Sequence, residues 1–164
     1  MRGKAGAGSV RAKGAWRMFL QILIGSVLLL ITIGIAGVSF WLMEVAIHRL
    51  RHWLLRPPHR PKLMAMLCLS AVWILAQMTA GVWLWALTFQ GLKVFPTLEE
   101  AVYFSLVAFT TLGFGDVLLP MDWRLLSGMA AANGLLNIGI VTAFLVEGLR
   151  QVRLRQIAAL EDKE

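Results

Sequence analysis

Residues 110–116 read Thr-Thr-Leu-Gly-Phe-Gly-Asp (TTLGFGD) and lie between two long apolar segments of the chain. Gly113 and Gly115 stand two positions apart, and glycine weakens both helix and strand. Their spacing indicates a backbone that adopts unusual dihedral angles. At membrane depth, irregular backbone is tolerated only inside protein or along a water-filled path. The fold must therefore surround this stretch with protein or place it beside a water-filled path.

The composition is that of an integral membrane protein with one domain. Of 164 residues, 59% are hydrophobic and 15% are charged, whereas soluble domains carry about one-quarter charged residues. The net charge of +7 comes from basic residues at the ends of apolar segments, where they set membrane orientation or face lipid headgroups, so nucleic acid is not an expected partner. The single cysteine, Cys68, excludes an internal disulfide and a cysteine-rich metal site.

Three apolar runs are each long enough to cross a bilayer, which takes roughly 20 residues. A basic segment without hydrophobic period precedes them, and we expect it to be disordered. The predicted organisation is a disordered tail 1–17, a first span 18–46, a basic loop 47–62, a module 63–148 with its last span at 124–148, and a tail 149–164.

The distribution of basic residues predicts the topology. Loop 47–62 carries five Arg or Lys, all three histidines (His48, His52 and His59) and no acid, so it is predicted to be cytoplasmic. The C-terminal tail is also basic. Segment 90–123 then faces outside, and its acids outnumber its bases. The histidines could titrate near neutral pH, but ordinary interfacial positions explain them better.

The first span conflicts with this topology. Five basic residues precede it, yet a cytoplasmic loop 47–62 requires an external N-terminus. One hypothesis is that Met18 is the true start and that residues 1–17 are an upstream extension of the reading frame. A cleaved signal peptide is disfavoured because the apolar run continues to Met43, beyond an ordinary signal sequence.

A short helix is predicted immediately before the TTLGFGD stretch. Thr97 and Glu100 form a capping-box pattern after Pro96. The helix runs from there to about Phe109 (97–109), which is too short to span a membrane. A short helix that returns as extended chain is a re-entrant pore helix; an amphipathic interfacial helix is the alternative.

Residues 111–115 (TLGFG), completed by Asp116, resemble the selectivity filter of the potassium-channel superfamily, whose TVGYG loops present carbonyl oxygens to the ion. The resemblance covers about 97–148, and the preceding span completes a module of two spans and one pore loop. The chain as a whole is similar to small bacterial ion-channel proteins with one extra N-terminal span. The implied fold is all-α: three transmembrane helices plus a re-entrant pore helix and filter loop, in a tetrameric pore.

The resemblance assigns roles to the residues of the filter loop, 110–116. The implied ion ligands are Thr111, Leu112, Gly113, Phe114 and Gly115, with K⁺ held at the first four. Glycines at 113 and 115 can take left-handed dihedrals, so successive carbonyls can face one axis. Thr110 supports the filter, and Asp116 lies at its outer mouth. No cofactor other than the permeant K⁺ is implied.

The chain departs from the family in the residues beside the filter. Tyr103 and Phe104 stand where many members have two tryptophans, and Phe114 replaces the commoner tyrosine. We therefore expect the polar tie between pore helix and filter to be absent and apolar packing to replace it, which puts K⁺ over Na⁺ selectivity in question.

The last span carries two polar and two small residues with candidate roles. Asn133 and Asn137 share one helical face and are predicted to line a water-filled cavity; helix–helix hydrogen bonding is the alternative. Gly134 and Gly139 fall near the gating bend of family members, although packing explains them equally well.

Three functions remain open at this stage. The first is passive K⁺ conduction through a homotetramer in a bacterial inner membrane. The others are a poorly selective cation channel and a non-conducting membrane subunit with a vestigial pore loop. An enzyme is not expected, because no HEXXH, nucleophile elbow or phosphate loop occurs. We also expect no voltage sensor and no soluble regulatory domain in this chain.

Overall fold

The computed structural model describes residues 4–49 and 59–161, and it is all-helical over those ranges. The long helices are α1 (Lys4–Arg49), α2 (His59–Gly91) and α4 (Arg124–Glu161). The short helix α3 (Leu98–Phe109) and a 3-10 turn (Met121–Trp123) lie between α2 and α4. The predicted all-α class is confirmed.

Each long helix contains a segment that can cross a membrane. These segments are Gly14–Ala46, Met64–Gly91 and Met121–Gly148. At 1.5 Å per residue each is longer than the roughly 30 Å hydrocarbon core. Most of their apolar side chains are exposed on the single chain, as lipid contact requires. The chain is therefore an integral membrane protein.

The helices extend beyond the predicted spans at both ends of the chain. We expected a disordered segment over 1–17, but α1 already begins at Lys4. We expected the last helix to end near 148, but α4 continues to Glu161. Alanine, arginine, lysine and glutamine favour helix, and no proline interrupts either extension. Adding residues to an existing helix requires no new nucleation. Most of the predicted basic loop lies outside the described residues.

The chain divides into two compact units. One consists of α1 up to Thr32 together with Gly81–Leu135, and it contains the TTLGFGD stretch. The other consists of Ile33–Ala80 with α4 from Leu136 onward.

In the first unit, α1 and α4 run parallel to each other. Arg17 forms an ion pair with Asp122. The Leu125 amide donates to Gln21 Oε1 at 3.1 Å, and Thr32 Oγ1 donates to Asn133 Oδ1 at 2.8 Å. Later residues of α1 thus meet later residues of α4. The beginning of α1 therefore lies on the same side as Asp122.

This parallel arrangement predicts which positions share a membrane side. In a Cys68→Ala background, single cysteines at Gly14, Met121 and Leu154 provide exposed reporters. We expect a membrane-impermeant maleimide to label Gly14→Cys and Met121→Cys from one face of sealed vesicles and Leu154→Cys from the other. Labelling of Gly14→Cys together with Leu154→Cys would contradict the parallel packing.

Candidate functional site

The short helix α3 begins with the predicted cap. Thr97 has extended backbone angles, and its hydroxyl accepts a hydrogen bond from the Glu100 amide at 3.2 Å. Glu99 and Glu100 occupy the first turn, where acidic side chains stabilise the positive end of the helix dipole. The helix has 12 residues and is roughly 18 Å long, too short to span.

Aromatic packing holds α3 against α2. The ring of Phe89 meets Phe104 edge-on, with centroids 5.5 Å apart, and meets Phe95 edge-on at 6.0 Å. Edge-to-face contacts of this kind add to the free energy of area burial. At the other end of α3, a Cβ at Gly81 would lie 2.7 Å from Phe109 Cζ. The buried face of α3 is thus fixed along its length.

The end of α3 touches the backbone of α4. A Cβ built on Gly134 would overlap the carbonyl group of Phe109. Only glycine permits this approach, because the contact atoms are main chain and cannot move like a side chain. A Cβ at Gly139 meets nothing within 4 Å. Gly134 therefore has a packing role in the single chain, while the hinge role of either glycine stays a prediction.

Loop 110–116 has the unusual backbone that its glycines predicted. Gly113 and Gly115 have φ of 59° and 78°, and this prediction of left-handed dihedrals is confirmed. Thr111 also has a positive φ, 60°, which the sequence did not indicate. Left-handed geometry is uncommon for a residue with a Cβ and clusters at functional sites.

The carbonyl oxygens of residues 111–115 accept no hydrogen bond from any residue within 4–49 and 59–161. The amides of Thr111 and Leu112 still bond back to α3, at 2.9 and 3.0 Å. Beyond them, no described residue donates a hydrogen bond to a carbonyl oxygen of 111–115. Residues 111–115 are exposed on the single chain, so these five consecutive oxygens are available to an external partner.

The two apolar side chains of the loop, Leu112 and Phe114, are largely exposed on the single chain. Leu112 is 61% exposed and Phe114 is 67% exposed. Neither side chain is packed behind the filter within one chain. The predicted packing requires another surface to cover them.

A hydrogen bond ties α3 to the end of the loop. Tyr103 Oη donates to Asp116 Oδ2 at 2.5 Å. We predicted that the polar tie would be absent because Phe104 and Phe114 lack donors. Phe104 does pack against the rings of Phe89 and Phe95, but the adjacent Tyr103 supplies a polar tie to Asp116. The Tyr103 hydrogen bond holds the pKa of the Asp116 carboxyl below its usual range, while desolvation acts in the opposite direction.

The polar residues of α4 lie inside the subunit. Asn133 is fully buried and Asn137 is almost so. Asn133 accepts the hydrogen bond from Thr32 on α1, which matches the helix–helix alternative. The structure gives the predicted cavity-lining role no support at Asn133. The Thr32–Asn133 hydrogen bond instead joins α1 to α4 in an apolar environment.

Two residues near the loop were missed by sequence reasoning. Gln21 accepts from the Leu125 amide and so satisfies a free N–H in the first turn of α4. Arg17 pairs with Asp122 just before that helix. The signal available in the sequence was a glutamine inside an apolar run, but nothing in the sequence indicated its partner.

A family model described as "Ion channel" matches residues 64–151, more than half of the chain. The chain belongs to this ion channel family. The match covers most of α2, all of α3 and loop 110–116, and most of α4, and it confirms the pore module of the potassium-channel superfamily that the motif predicted. No curated protein and no solved structure matches the chain. The channel's first helix, α1, lies outside the matched range.

Removing the hydroxyl of Tyr103 tests the tie at the mouth of the loop. We expect Tyr103→Phe to raise the pKa of Asp116 toward its ordinary value of about 3.9, measured by NMR of labelled Asp. Because the folded pKa is lowered, the tie stabilises the fold above the ordinary pKa and is lost as pH falls through the lowered value. Tyr103→Trp keeps a hydrogen-bond donor and should change the pKa of Asp116 less than Tyr103→Phe does. An unchanged Asp116 pKa in Tyr103→Phe would contradict this account.

Substitution of the two α4 glycines separates packing from helix propensity. We expect Gly134→Ala to lower the free energy of unfolding by about 1–3 kcal/mol, because the added methyl group overlaps the Phe109 backbone. Gly139→Ala is the matched control and should be neutral or stabilising by up to about 1 kcal/mol. Denaturant titration in detergent measures both. Equal effects of the two substitutions would refute the packing role.

Proposed function

We propose that four copies of this channel assemble around one axis and conduct K⁺ passively through their filter loops. The observation that carries the proposal is the run of unpaired carbonyl oxygens over residues 111–115. K⁺ loses its hydration shell on entering a filter, and rings of backbone carbonyls replace that shell. One chain supplies one side of such a ring. Thr111, Leu112, Gly113 and Phe114 are the residues proposed to hold K⁺, with Gly115 completing the filter.

The electrostatics of α3 favour a cation at the same place. The negative end of the α3 dipole lies at Phe109, immediately before the loop. Asp116 carries a carboxylate at the opposite end, and the hydrogen bond that it accepts from Tyr103 lowers the pKa of that carboxyl. Negative charge or partial charge thus brackets the unpaired carbonyls. This arrangement of negative charge attracts cations and repels anions.

The exposure of the loop side chains supports a tetramer. Leu112 and Phe114 are apolar and largely uncovered in one chain. Neighbouring subunits around a closed fourfold axis would cover them and would turn four loops into one lined pathway. We place the loop on the outer side of a bacterial inner membrane, with the basic loop 47–62 and the C-terminus in the cytoplasm.

One observation keeps a poorly selective cation channel as the second candidate. Phe114 has no hydroxyl, so its side chain cannot anchor the filter to α3 by a hydrogen bond. The Tyr103–Asp116 tie restrains the end of the loop but not its centre. A looser filter would admit Na⁺ as well as K⁺.

The deciding experiment is the reversal potential of the reconstituted full chain under a K⁺/Na⁺ gradient. We expect reversal near the K⁺ equilibrium potential and its loss in Gly113→Asp, because this position requires a positive φ and faces the ion path. Gly91→Asp is the matched control, since Gly91 has open space around it and lies outside the loop.

The other outcomes assign the alternatives. Robust current that reverses near zero would replace K⁺ selectivity with general cation conduction. Absence of current together with a mass below four times the 18.2 kDa of one chain would indicate the non-conducting subunit.

A further inference from the structure

The second unit, Ile33–Ala80 with α4 from Leu136, contains a cavity of about 260 Å³. Its walls come from α1, α2 and α4. The α1 wall lies outside the residues matched by the family model, so the cavity does not belong to the family's common pore module. It is also separate from loop 110–116, which lies in the other unit.

The middle of the cavity is apolar and rigid. Phe40 and Phe144 stack with their centroids 4.0 Å apart. The Trp73 indole donates to Ser39 Oγ at 2.6 Å, which fixes the ring in the wall. Flat aromatic surfaces of this kind bury an apolar ligand at little conformational cost.

One end of the cavity carries the amide of Gln77. Gln77 lines the cavity and is 9% exposed. Its amide atoms are not among the fully buried, unpartnered side-chain atoms of the described residues. An amide in a cavity wall can both donate to and accept from a bound molecule. Its position therefore offers a hydrogen-bonding site at this end of the cavity.

The opposite end of the cavity carries two carboxylates and lies where the basic segment 47–62 begins. Glu44 and Glu147 line it beside His48. Arg150 lies 3.7 Å from Glu147 and offsets part of its charge, so Glu44 is the principal carboxylate. The lining of α2 runs from Met66 to Gln77, which places the two polar ends roughly 16 Å apart.

We propose that this cavity binds an amphiphilic organic cation with a hydrogen-bonding group at the far end of its apolar body. The ammonium group would lie at Glu44 and Glu147, the apolar body between Phe40, Phe144 and Trp73, and the second polar group at Gln77. Carboxylates at the mouth favour a cation over an anionic lipid, because a phosphate or carboxylate headgroup would meet like charge. The proposal concerns binding and does not depend on whether the pore conducts K⁺.

The test uses three linear probes with the same twelve-carbon chain that differ only in their terminal groups. They are 12-amino-1-dodecanol, dodecylamine, which lacks the hydroxyl, and 1,12-dodecanediol, which lacks the cation. Binding to the full chain in lipid nanodiscs is measured by calorimetry, with partition into empty nanodiscs subtracted. We expect saturable binding of one aminododecanol per chain and weaker binding of the other two probes.

Variants assign each end of the ligand to its residue. Glu44→Gln should weaken both amines about tenfold, the effect of losing a charge-assisted contact, and should leave dodecanediol unchanged. Gln77→Leu should weaken aminododecanol several-fold but leave dodecylamine unchanged. Glu99→Gln removes an exposed acid from the other unit and is the matched control.

Three results would overturn the proposal. The first is the absence of saturable binding above empty nanodiscs. The second is equal binding of dodecanediol and aminododecanol, or an unchanged affinity of the amines in Glu44→Gln. The third is tighter saturable binding of dodecanoate, which would assign the cavity to anionic amphiphiles. Because Glu44 is exposed, Glu44→Gln should fold normally and decides the question even if Gln77→Leu does not fold.

Discussion

Unpaired backbone carbonyls are the constraint on which this structure depends. A helix satisfies its own main-chain groups, but the carbonyl oxygens of residues 111–115 accept no hydrogen bond from the part of the chain that the structure describes. In hydrocarbon each such group would cost several kcal/mol. Within a membrane, these oxygens therefore require water or cations as their partners. The proposed function follows from that requirement, since K⁺ exchanges its water shell for carbonyl oxygens.

The surrounding elements hold this unfavourable backbone in place. The Thr97 cap starts α3 at a defined residue, and the aromatic contacts of Phe89 fix α3 against α2. Gly134 lets α4 reach the last carbonyl of α3. Tyr103 restrains the far end of the loop through Asp116. Each contact reduces the conformational freedom of loop 110–116 or of the helices beside it.

The additional helix α1 is part of this support. It lies outside the family match, yet it pairs with Asp122, caps α4 through Gln21 and bonds Asn133 through Thr32. In a two-span pore module without α1, Asp122, the Leu125 amide and Asn133 would need other partners. The same helix also supplies one wall of the cavity in the second unit, so one addition to the chain provides both support and a candidate ligand site.

The sequence by itself determined the membrane class, the three spans, the short capped helix and the left-handed glycines of the loop. All of these depend on hydropathy over one segment or on neighbouring residues. Only the tertiary structure decided which partner each polar group takes. The Thr32–Asn133 bond joins residues 101 positions apart, and Tyr103 meets Asp116 only because the loop turns back along α3. Tertiary packing determines such partners, and the local sequence around either residue does not indicate them. The helical form of residues 4–17 was missed for a related reason, since it is the continuation of a helix stabilised elsewhere.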